Sequence, residues 1–517
     1  ELRQVGNERI GVIIENPTGE QTEVGVDNQG VVEAASAEIK AAGGNIYAVA
    51  INNGGEVRAQ TQLVFEGGRM VIKAVGGTVI NSGTLDASNA SGKGGSISVE
   101  GAQVGMAGNA VVDASGSTGG GSVNIGGGFQ GNDPDFENAL RTYVGPAVTL
   151  NADATVDGDG GEIIVWSDEV TRYHGTLSAT GAGSGDGGFA EISGYQNLVF
   201  QGAADVSAAS GVSGLILLDP SNVTIQTAGA NDADLTLTGI DFSGAGGTGT
   251  PATFSVAAIE GLTGSFNIQA HNNISIDNAL NLSLIGTGET ATFTAGDSIT
   301  IAAGANITTA GGGNLLFIGS DVGGADAAAA SINVNATVGA ATTASVTFQN
   351  GGSGGININA GGNVTALSLI SFNGALNLTG NTTFTAGTVS LEDVSGATED
   401  LIINGTGQFA GTANLQSVTV NGATTLAAAN TMITTSGAQF YSGAVQLLGD
   451  ATLAAGAGMV TFGSSISGDM ADTRNLIIGT TGSTVFSGQI GSGAVPLGFL
   501  AVNNGGPVSF AGNVTTS

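Results

Sequence analysis

The densest group of reactive side chains in this sequence lies between residues 166 and 174, in the stretch WSDEVTRYH. It holds an indole, two carboxylates, a guanidinium, a phenol and an imidazole, from Trp166, Asp168, Glu169, Arg172, Tyr173 and His174. A carboxylate pair can act as general acid and base on a glycosidic bond. If the preceding strand continues, however, alternation places Asp168 and Glu169 on opposite faces. We therefore predict no catalytic residues and a chain that is not an enzyme, with a polysaccharide-active lyase or glycoside hydrolase as the alternative.

Acidic turns form a second candidate site, because Ca²⁺ prefers several oxygen ligands from flexible loops. The segments DGDGG and GDGG carry three aspartates, Asp157, Asp159 and Asp186. They are isolated copies, without the tandem repeat of a calcium β-roll. Solubility is the simpler explanation of the many acidic residues. We predict no required cofactor and keep calcium at these aspartates as the alternative. His271 has no second histidine nearby, so it is not predicted to bind a metal.

The third candidate is an irregular polar segment, GGGFQGNDPDFENALRTYVGPAV, which spans residues 126–148. Loops on rigid scaffolds often carry binding functions. The residues predicted to contact a partner or ligand are Asp133, Asp135, Arg141 and Tyr143. Local packing of the loop over the side of the scaffold is the alternative.

A repeat of about 25 residues predicts the scaffold that positions these candidates. Gly-Gly pairs recur along the chain, and counted from the second glycine their steps are 24, 27, 26, 40 and 27 residues. The long step contains the polar segment. Four pairs precede alternating segments, NIYAVA, SISVEG, SVNIGG and EIIVWS, which predict strands. The pairs are Gly43-Gly44, Gly67-Gly68, Gly94-Gly95, Gly120-Gly121, Gly160-Gly161 and Gly187-Gly188. Such a period is typical of a solenoid of stacked turns.

Length and composition agree with a solenoid. A chain of 517 residues exceeds the size of one compact core, whereas a solenoid grows by adding turns. The 91 glycines suit tightly stacked strands with bends that need a positive φ. The absence of cysteine excludes disulfides and thiolate metal sites. No apolar run approaches the roughly 18 residues that a membrane-spanning helix needs, so we predict that the chain does not span a membrane.

The charge is strongly acidic, with 42 acidic and 10 basic residues and a formal net charge of −32. Nine of the ten basic residues lie at or before Arg172. Neutralisation of phosphates requires clustered lysine and arginine. Nucleic acid is therefore excluded as a ligand.

The texture of the sequence changes near Pro220, and we predict two segments of one rod, residues 1–224 and 225–517. The second segment is rich in Thr, Asn, Ala and Phe, and holds 14 of the 19 phenylalanines. We predict an aromatic stack inside the helix, with a carbohydrate-stacking surface as the alternative. The segments DLIINGTGQFAG and NLIIGTTGSTVFSG start 75 residues apart, at Asp400 and Asn475, and predict a larger repeat of about three turns.

The repeats also resemble a known family. The motifs AAGGNIYAVAINNGGEVRA, VINSGTLDASNASGKGGSISVEG, DASGSTGGGSVNIGGGFQG and LILLDPSNVTI are similar to those of filamentous-haemagglutinin-like large exoproteins of Gram-negative bacteria. The resemblance covers about residues 41–225 closely and the rest through strand texture. It implies a right-handed parallel β-helix, secretion through an outer-membrane partner of the two-partner secretion type, and a role as adhesin or surface fibre. The secretion domain of such proteins is not visible here.

Taken together, the sequence predicts an all-β fold, a right-handed parallel β-helix (β-solenoid) forming an elongated rod of about 20 to 23 turns. We expect an extracellular, cell-surface-associated fibre protein that acts in attachment, cell-cell contact or filament assembly. Expected partners are the chain itself or flanking turns, the secretion partner, and a host-cell, neighbouring-cell or glycan surface. A calcium-dependent surface-layer or filament subunit is a further alternative.

Overall fold

The structure, a computed structural model, describes residues 9–14, 26–34, 36–41, 49–54, 56–59, 68–227, 251–319, 330–470, 473–492 and 495–517. The glycines at positions 43, 44 and 67 lie outside these ranges. Contacts divide the chain into two compact units. The first unit comprises Glu1–Ile274 with Gly288–Thr292, and the second comprises Ser275–Thr287 with Phe293–Ser517.

Short strands make up nearly all regular structure up to residue 270. In chain order, β1 to β23 are Arg9–Ile14, Val26–Asn28, Val31–Ala34, Ser36–Ala41, Val49–Asn53, Glu56–Ala59, Arg69–Asn81, Thr84–Asp86, Ser96–Met106, Val111–Asp113, Ser122–Ile125, Arg141–Val144, Thr149–Asn151, Glu162–Val165, Val170–Tyr173, Thr176–Ser178, Phe189–Gly194, Asn197–Phe200, Ala203–Asp205, Leu215–Pro220, Val223–Gln226, Ala252–Ser255 and Ser265–Ala270. One helix, α1 (Val256–Glu260), begins at Ser255, whose hydroxyl accepts a hydrogen bond from the N–H of Ala258. A single 3₁₀ turn covers Phe129–Gly131.

The strands from residue 273 onward continue the same pattern. In chain order, β24 to β49 are Asn273–Ile276, Leu280–Asn281, Thr290–Ala295, Ser298–Ile301, Ile307–Thr308, Asn314–Gly319, Ser331–Val334, Ser345–Asn350, Gly355–Ile358, Val364–Thr365, Leu369–Asn373, Leu376–Leu378, Thr382–Leu391, Val394–Phe409, Thr412–Val420, Thr424–Leu426, Asn430–Thr435, Gln439–Tyr441, Val445–Leu447, Asp450–Ala454, Val460–Phe462, Ile466–Gly468, Asn475–Thr480, Thr484–Phe486, Phe499–Asn504 and Val508–Phe510.

In the first unit, each strand pairs in parallel with the equivalent strand one turn later. Ser96 pairs with Ser122, Ser122 with Glu162, Glu162 with Phe189 and Phe189 with Leu215. The paired positions are thus 26, 40, 27 and 26 residues apart, which matches the spacing of the glycine pairs. A separate parallel sheet of seven strands joins β3, β6, β8, β10, β13, β16 and β19. The predicted all-β fold class, a parallel β-helix, is confirmed.

In the second unit the turns become shorter. Ile356 pairs with Leu376 and Leu376 with Val394, so one turn takes 20 residues and the next takes 18. The predicted 75-residue repeat is wrong. Leu401 stacks with Thr382 and Val418, whereas Leu476 stacks with Ala451, in a different column of strands. Similar strand text therefore recurs on different faces.

The predicted aromatic stack is present inside the helix. In the second unit, neighbouring rings lie 4.8–5.3 Å apart between centroids, in the order Phe293, Phe317, Phe348, Phe372 and Phe384. A second stack runs through Tyr441, Phe462, Phe486 and Phe510 at 4.8–5.4 Å. These distances are close to the spacing of about 4.8 Å between strands, so each turn adds one ring to the column.

Asparagine ladders link successive turns in both units. In the first unit, Asn28 donates to Asn53 at 2.7 Å, and Asn53 donates to Asn81 at 2.6 Å. In the second, Asn357 donates to Asn333 at 2.8 Å and Asn377 donates to Asn357 at 2.9 Å. A side-chain amide can donate and accept at once, and a column of them therefore satisfies itself along the axis.

The glycine pairs are required by close stacking, and the expectation that they provide bends with positive φ is wrong for the described pairs. No positive φ occurs at Gly94-Gly95, Gly120-Gly121, Gly160-Gly161 or Gly187-Gly188. A β-carbon added to the second glycine of each pair would instead overlap the backbone of the preceding turn. At Gly121, for example, it would overlap the carbonyl oxygen of Gly95.

Candidate functional site

The stacked glycine pairs form the floor of a groove of about 670 Å³ in the first unit. We call it the glycine groove. Its floor consists of Gly94-Gly95, Gly121, Gly160-Gly161 and Gly187-Gly188, and Leu215 lies at its end. Because no β-carbon fits at these glycines, the floor carries no side chains. A volume of this size lies within the range of roughly 300–1,000 Å³ that is typical of ligand sites.

The peptide groups of this floor are already hydrogen-bonded within the protein. The second glycine of each pair donates its N–H to the alanine that follows an earlier short strand, at 2.7–2.8 Å. These alanines are Ala87, Ala114, Ala152 and Ala179. Each glycine carbonyl accepts the N–H of the residue after the next pair, as Gly95 does from Ser122 at 2.9 Å. The floor is therefore a surface of α-carbons and peptide planes with its polar groups in use.

One wall of the glycine groove is the column of residues that follow the glycine pairs. In order along the turns, the column contains Ser96, Ser122, Glu162, Phe189 and Leu215. It offers two hydroxyls, a carboxyl group, an aromatic ring and an aliphatic side chain at intervals of one turn, or about 4.8 Å. Lys93 adds an ammonium group at the other side of the first pair.

A loop formed by residues 126–140, which we call the covering loop, packs on the outer face of the strands beside this wall. Trp166 is 4% exposed, and its indole lies directly against Gly127 and Gly131 of the loop. The indole N–H donates to Asp168 at 3.0 Å, and the same carboxylate accepts from Asn138 of the loop at 3.0 Å. The indole and a shared carboxylate thus fix the loop to the scaffold.

The tip of the covering loop is held in a strained conformation over a buried carboxylate. Gln130 has φ 50° and ψ 24°, and it is the one non-glycine residue with a positive φ in the described ranges. Its N–H donates to the two carboxyl oxygens of Glu191, at 3.0 and 3.3 Å. Glu191 is fully buried, although it points to the outer face of β17. The same tip places the Phe129 ring 5.7 Å from the Phe189 ring, edge to face.

Three carboxyl groups near the loop have raised pKa values. Burial raises the pKa of Glu191 to about 7, although the hydrogen bond from Gln130 opposes the shift. Burial also raises the pKa of Asp219, on the neighbouring strand, to about 6. At the groove wall, desolvation and the Asp133 carboxylate raise the pKa of Glu162, and Lys93 acts in the opposite direction. Protonation of this patch is therefore favoured near neutral pH.

The aspartates predicted as calcium ligands form hydrogen bonds between turns. Asp157 accepts from the N–H and hydroxyl of Ser184 at 2.9 and 3.1 Å, and the hydrogen bonds to Ser184 lower its pKa. Asp159 accepts from the N–H of Asp186 at 2.8 Å, and Asp186 accepts from that of Val212 at 2.7 Å. Within the described ranges, no group of three acidic or histidine side chains is arranged to hold a metal ion. The calcium alternative stays a prediction.

The residues predicted to contact a partner lie in and just after the covering loop. Asp133 accepts from the N–H of Asp135 at 3.0 Å, which shapes the exposed loop turn. Arg141 donates through Nε to Glu169 at 2.8 Å, and both side chains are about one third exposed. The Tyr143 ring lies 6.0 Å from the His174 ring, and burial raises the tyrosine pKa, against the effect of Arg172. The loop does pack on the scaffold, and its contact role stays a prediction.

The reactive cluster between residues 166 and 174 is divided among structural roles. The strand β14 ends at Val165, so Asp168 and Glu169 lie in a turn and the alternation argument does not apply to them. Asp168 binds the Trp166 indole and Asn138, and Glu169 pairs with Arg141. Both carboxylates therefore attach the loop segment to the strands. His271 lies apart from this cluster, on the surface after β23.

Sequence reasoning missed the glycine groove and Glu191. The groove had a signal, because each glycine pair is followed by a residue on the outer face, and these residues must align. Glu191 had none: a polar residue at an outward position of FAEISG is expected to be solvated, and only the packed loop buries it.

Comparison with protein-family models and with curated proteins finds no match to this chain. Across the part of the chain that the structure describes, no helix is long and apolar enough to cross a membrane.

Proposed function

We propose that this protein is an extracellular structural or adhesive fibre protein, in which stacked turns provide a stiff scaffold for attachment, cell-cell contact or filament assembly. The observation that carries this proposal is that the recurring motifs of the sequence are spent on contacts between turns. Glycine pairs allow close backbone stacking, asparagines form ladders, and aromatic rings form columns. Such repeated nearest-neighbour contacts give a solenoid its stability.

The charge of the chain supports a role outside compact assemblies. A net charge of −32 keeps an all-β protein soluble and disfavours lateral aggregation. Among the described basic residues, Lys73 pairs with Glu100 at 2.7 Å, and Arg474 pairs with Asp469 at 2.6 Å. These pairings leave a surface dominated by carboxylates, which favours cationic or uncharged partners.

The resemblance to filamentous-haemagglutinin-like exoproteins also supports this proposal. Proteins of that type reach the cell surface through an outer-membrane secretion partner, and we infer the same route here. The motifs that carry the resemblance include the glycine pairs, whose stacking role is described above.

Electron microscopy of the native material and of the purified chain, with and without EDTA, tests the proposal. We expect regular filaments or surface fibres from the native source and no loss of them in EDTA. Loss of fibres in EDTA would favour the calcium-dependent filament subunit. Absence of the protein from fibres, together with a glycan-cleaving activity lost in Asp168→Asn and Glu169→Gln, would favour the enzyme instead.

A further inference from the structure

We propose that the glycine groove, together with the Phe129–Phe189 ring pair, binds a linear uncharged polysaccharide along the axis of the stacked turns. This inference rests on the proposed adhesive function and names the class of ligand for it. The site lies within the first unit and is built from residues of the groove wall and of the covering loop.

The shape of the groove fits an extended chain. The wall column from Ser96 to Leu215 spans four intervals of one turn, or about 19 Å. The floor beneath it has no side chains, because the glycine pairs have no room for a β-carbon. A flat pyranose chain can therefore lie against the floor, and one sugar residue of an extended glycan is about as long as one turn is high.

The hydrogen-bonding state of the floor favours a glycan over a peptide. The floor N–H and carbonyl groups are already paired between turns. An extended peptide laid on this floor would leave one edge of its backbone without partners, which costs free energy for every buried group. A glycan can instead place the apolar faces of its rings on the floor and its hydroxyls towards the walls.

The walls supply the groups that sugars need. The hydroxyls of Ser96 and Ser122, the carboxyl group of Glu162 and the ammonium group of Lys93 can hydrogen-bond to ring hydroxyls. At the other end of the column, Phe189 is half-buried and Phe129 is 46% exposed, and both rings are available for contact with a sugar face.

Charge selects an uncharged ligand. The groove lining holds one basic and one acidic side chain, Lys93 and Glu162. Asp133 acts on Glu162, and Asp159 and Asp186 lie in the adjacent turns. A sulfated or uronic-acid polymer would meet this negative potential with a single cation to offset it.

The strain at Gln130 is the independent observation that points to the loop tip. A non-glycine residue in the left-handed region costs about 1–3 kcal/mol and is retained where surrounding contacts impose it. Here the buried Glu191 holds the Gln130 N–H, and the result is that Phe129 stands beside Phe189 at the groove. Strain spent on presenting an exposed ring is typical of a binding site.

Isothermal titration with cellohexaose, xylohexaose, mannohexaose and chitohexaose tests the proposal on the full chain, with a heparin fragment as the anionic probe. We expect at least one neutral hexasaccharide to bind, with an affinity independent of salt. Phe129→Ala and Phe189→Ala are expected to weaken this binding by about tenfold each. The matched control is Phe440→Ala, which removes a ring of similar exposure (38%) from the second unit and should bind like the unmodified chain.

Three results would overturn the proposal: no binding of any neutral hexasaccharide, binding of the heparin fragment alone, or equal affinities in the unmodified chain and the Phe129→Ala variant. Because Phe129 is exposed, its removal leaves the core intact, and far-UV circular dichroism checks this. Fibres seen by electron microscopy without glycan binding would reject the groove and leave the fibre function standing.

Discussion

The second glycine of each described pair sits where the preceding turn leaves no space for a side chain, and this makes single positions decisive. The constraint is steric and not conformational, since these glycines have no positive φ. Gly479, in β46, provides the contrast: a β-carbon added there would meet no atom within 4 Å.

We expect Gly121→Ala to destabilise the first unit by roughly 3 kcal/mol, because the added methyl group forces two backbones apart. Gly479→Ala should be neutral or slightly stabilising, since alanine lowers the entropy of the unfolded chain. Urea denaturation followed by circular dichroism measures both. Equal midpoints for the two variants would refute the steric explanation of the glycine pairs.

Glu191 is the residue whose protonation matters most to the covering loop. The groups that face it are the N–H of Gln130 and Ser193, with the carboxyl groups of Asp219 and Glu162 acting on it from nearby. Its neighbours on the adjacent strands, Ile164 and Leu217, carry no charge. No cation balances the buried carboxylate there, so the neutral form is favoured.

Stability of the loop region should therefore fall as pH rises. The folded-state pKa of Glu191, about 7, lies above its ordinary value of 4.5, so the folded protein holds the proton more tightly. The contribution is complete below about pH 4.5 and is lost through about pH 7, a change of up to about 3 kcal/mol. Trp166, the one tryptophan in the sequence, lies under the loop and reports the change by fluorescence.

Glu191→Gln is the matched variant for this titration, because its amide oxygen still accepts from the Gln130 N–H. We expect its fluorescence to vary less with pH between 5 and 8 than that of the unmodified chain, with Asp219 contributing the remainder near pH 6. A red shift of equal size in both proteins would show that Glu191 does not control the loop.

At the scale of the strands, the sequence predicted what depends on neighbouring residues. Alternating segments such as SISVEG became strands, the step of 40 residues became a loop on the outside of the helix, and the phenylalanines became an internal stack. The sheet to which a strand belongs was not predictable, because turn length varies from 18 to 40 residues and the corners set it. The 75-residue repeat failed for this reason.

The ring column of the second unit is an element whose middle members should matter most. Phe348 is fully buried between Phe317 and Phe372, at 5.1 and 5.2 Å. We expect Phe348→Ala to cost about 3–5 kcal/mol, because it leaves a cavity within the column. Phe440→Ala, at an exposed ring, should change stability by less than about 0.5 kcal/mol. Thermal unfolding compares them, and similar losses in both would argue against the column as a source of stability.

The acidic turns make a prediction about metal removal. The carboxylates of Asp157, Asp159 and Asp186 already accept backbone N–H groups from the next turn. We therefore expect EDTA to leave the melting temperature unchanged and Asp159→Ala to lower it, since the Asp186 N–H loses its acceptor. A melting temperature that falls in EDTA and recovers with Ca²⁺ would instead assign these turns to a calcium site.

At the scale of the whole chain, charge and repetition favour the same role. Acidic residues outnumber basic ones 42 to 10, and the recurring motifs are committed to contacts between turns. The repeat and its fold class could be predicted from the sequence, because both follow from local periodicity. The candidate groove could not, because it arises only when glycine pairs from separate turns align.

The most direct test of the proposed function is immunogold electron microscopy of the source cells, with antibodies raised against this chain. The account predicts gold particles along fibres or at the outer surface of intact cells, and none on cells that lack the gene. Labelling confined to the cell interior, with intact cells unlabelled, would contradict the proposal that this protein is an extracellular fibre.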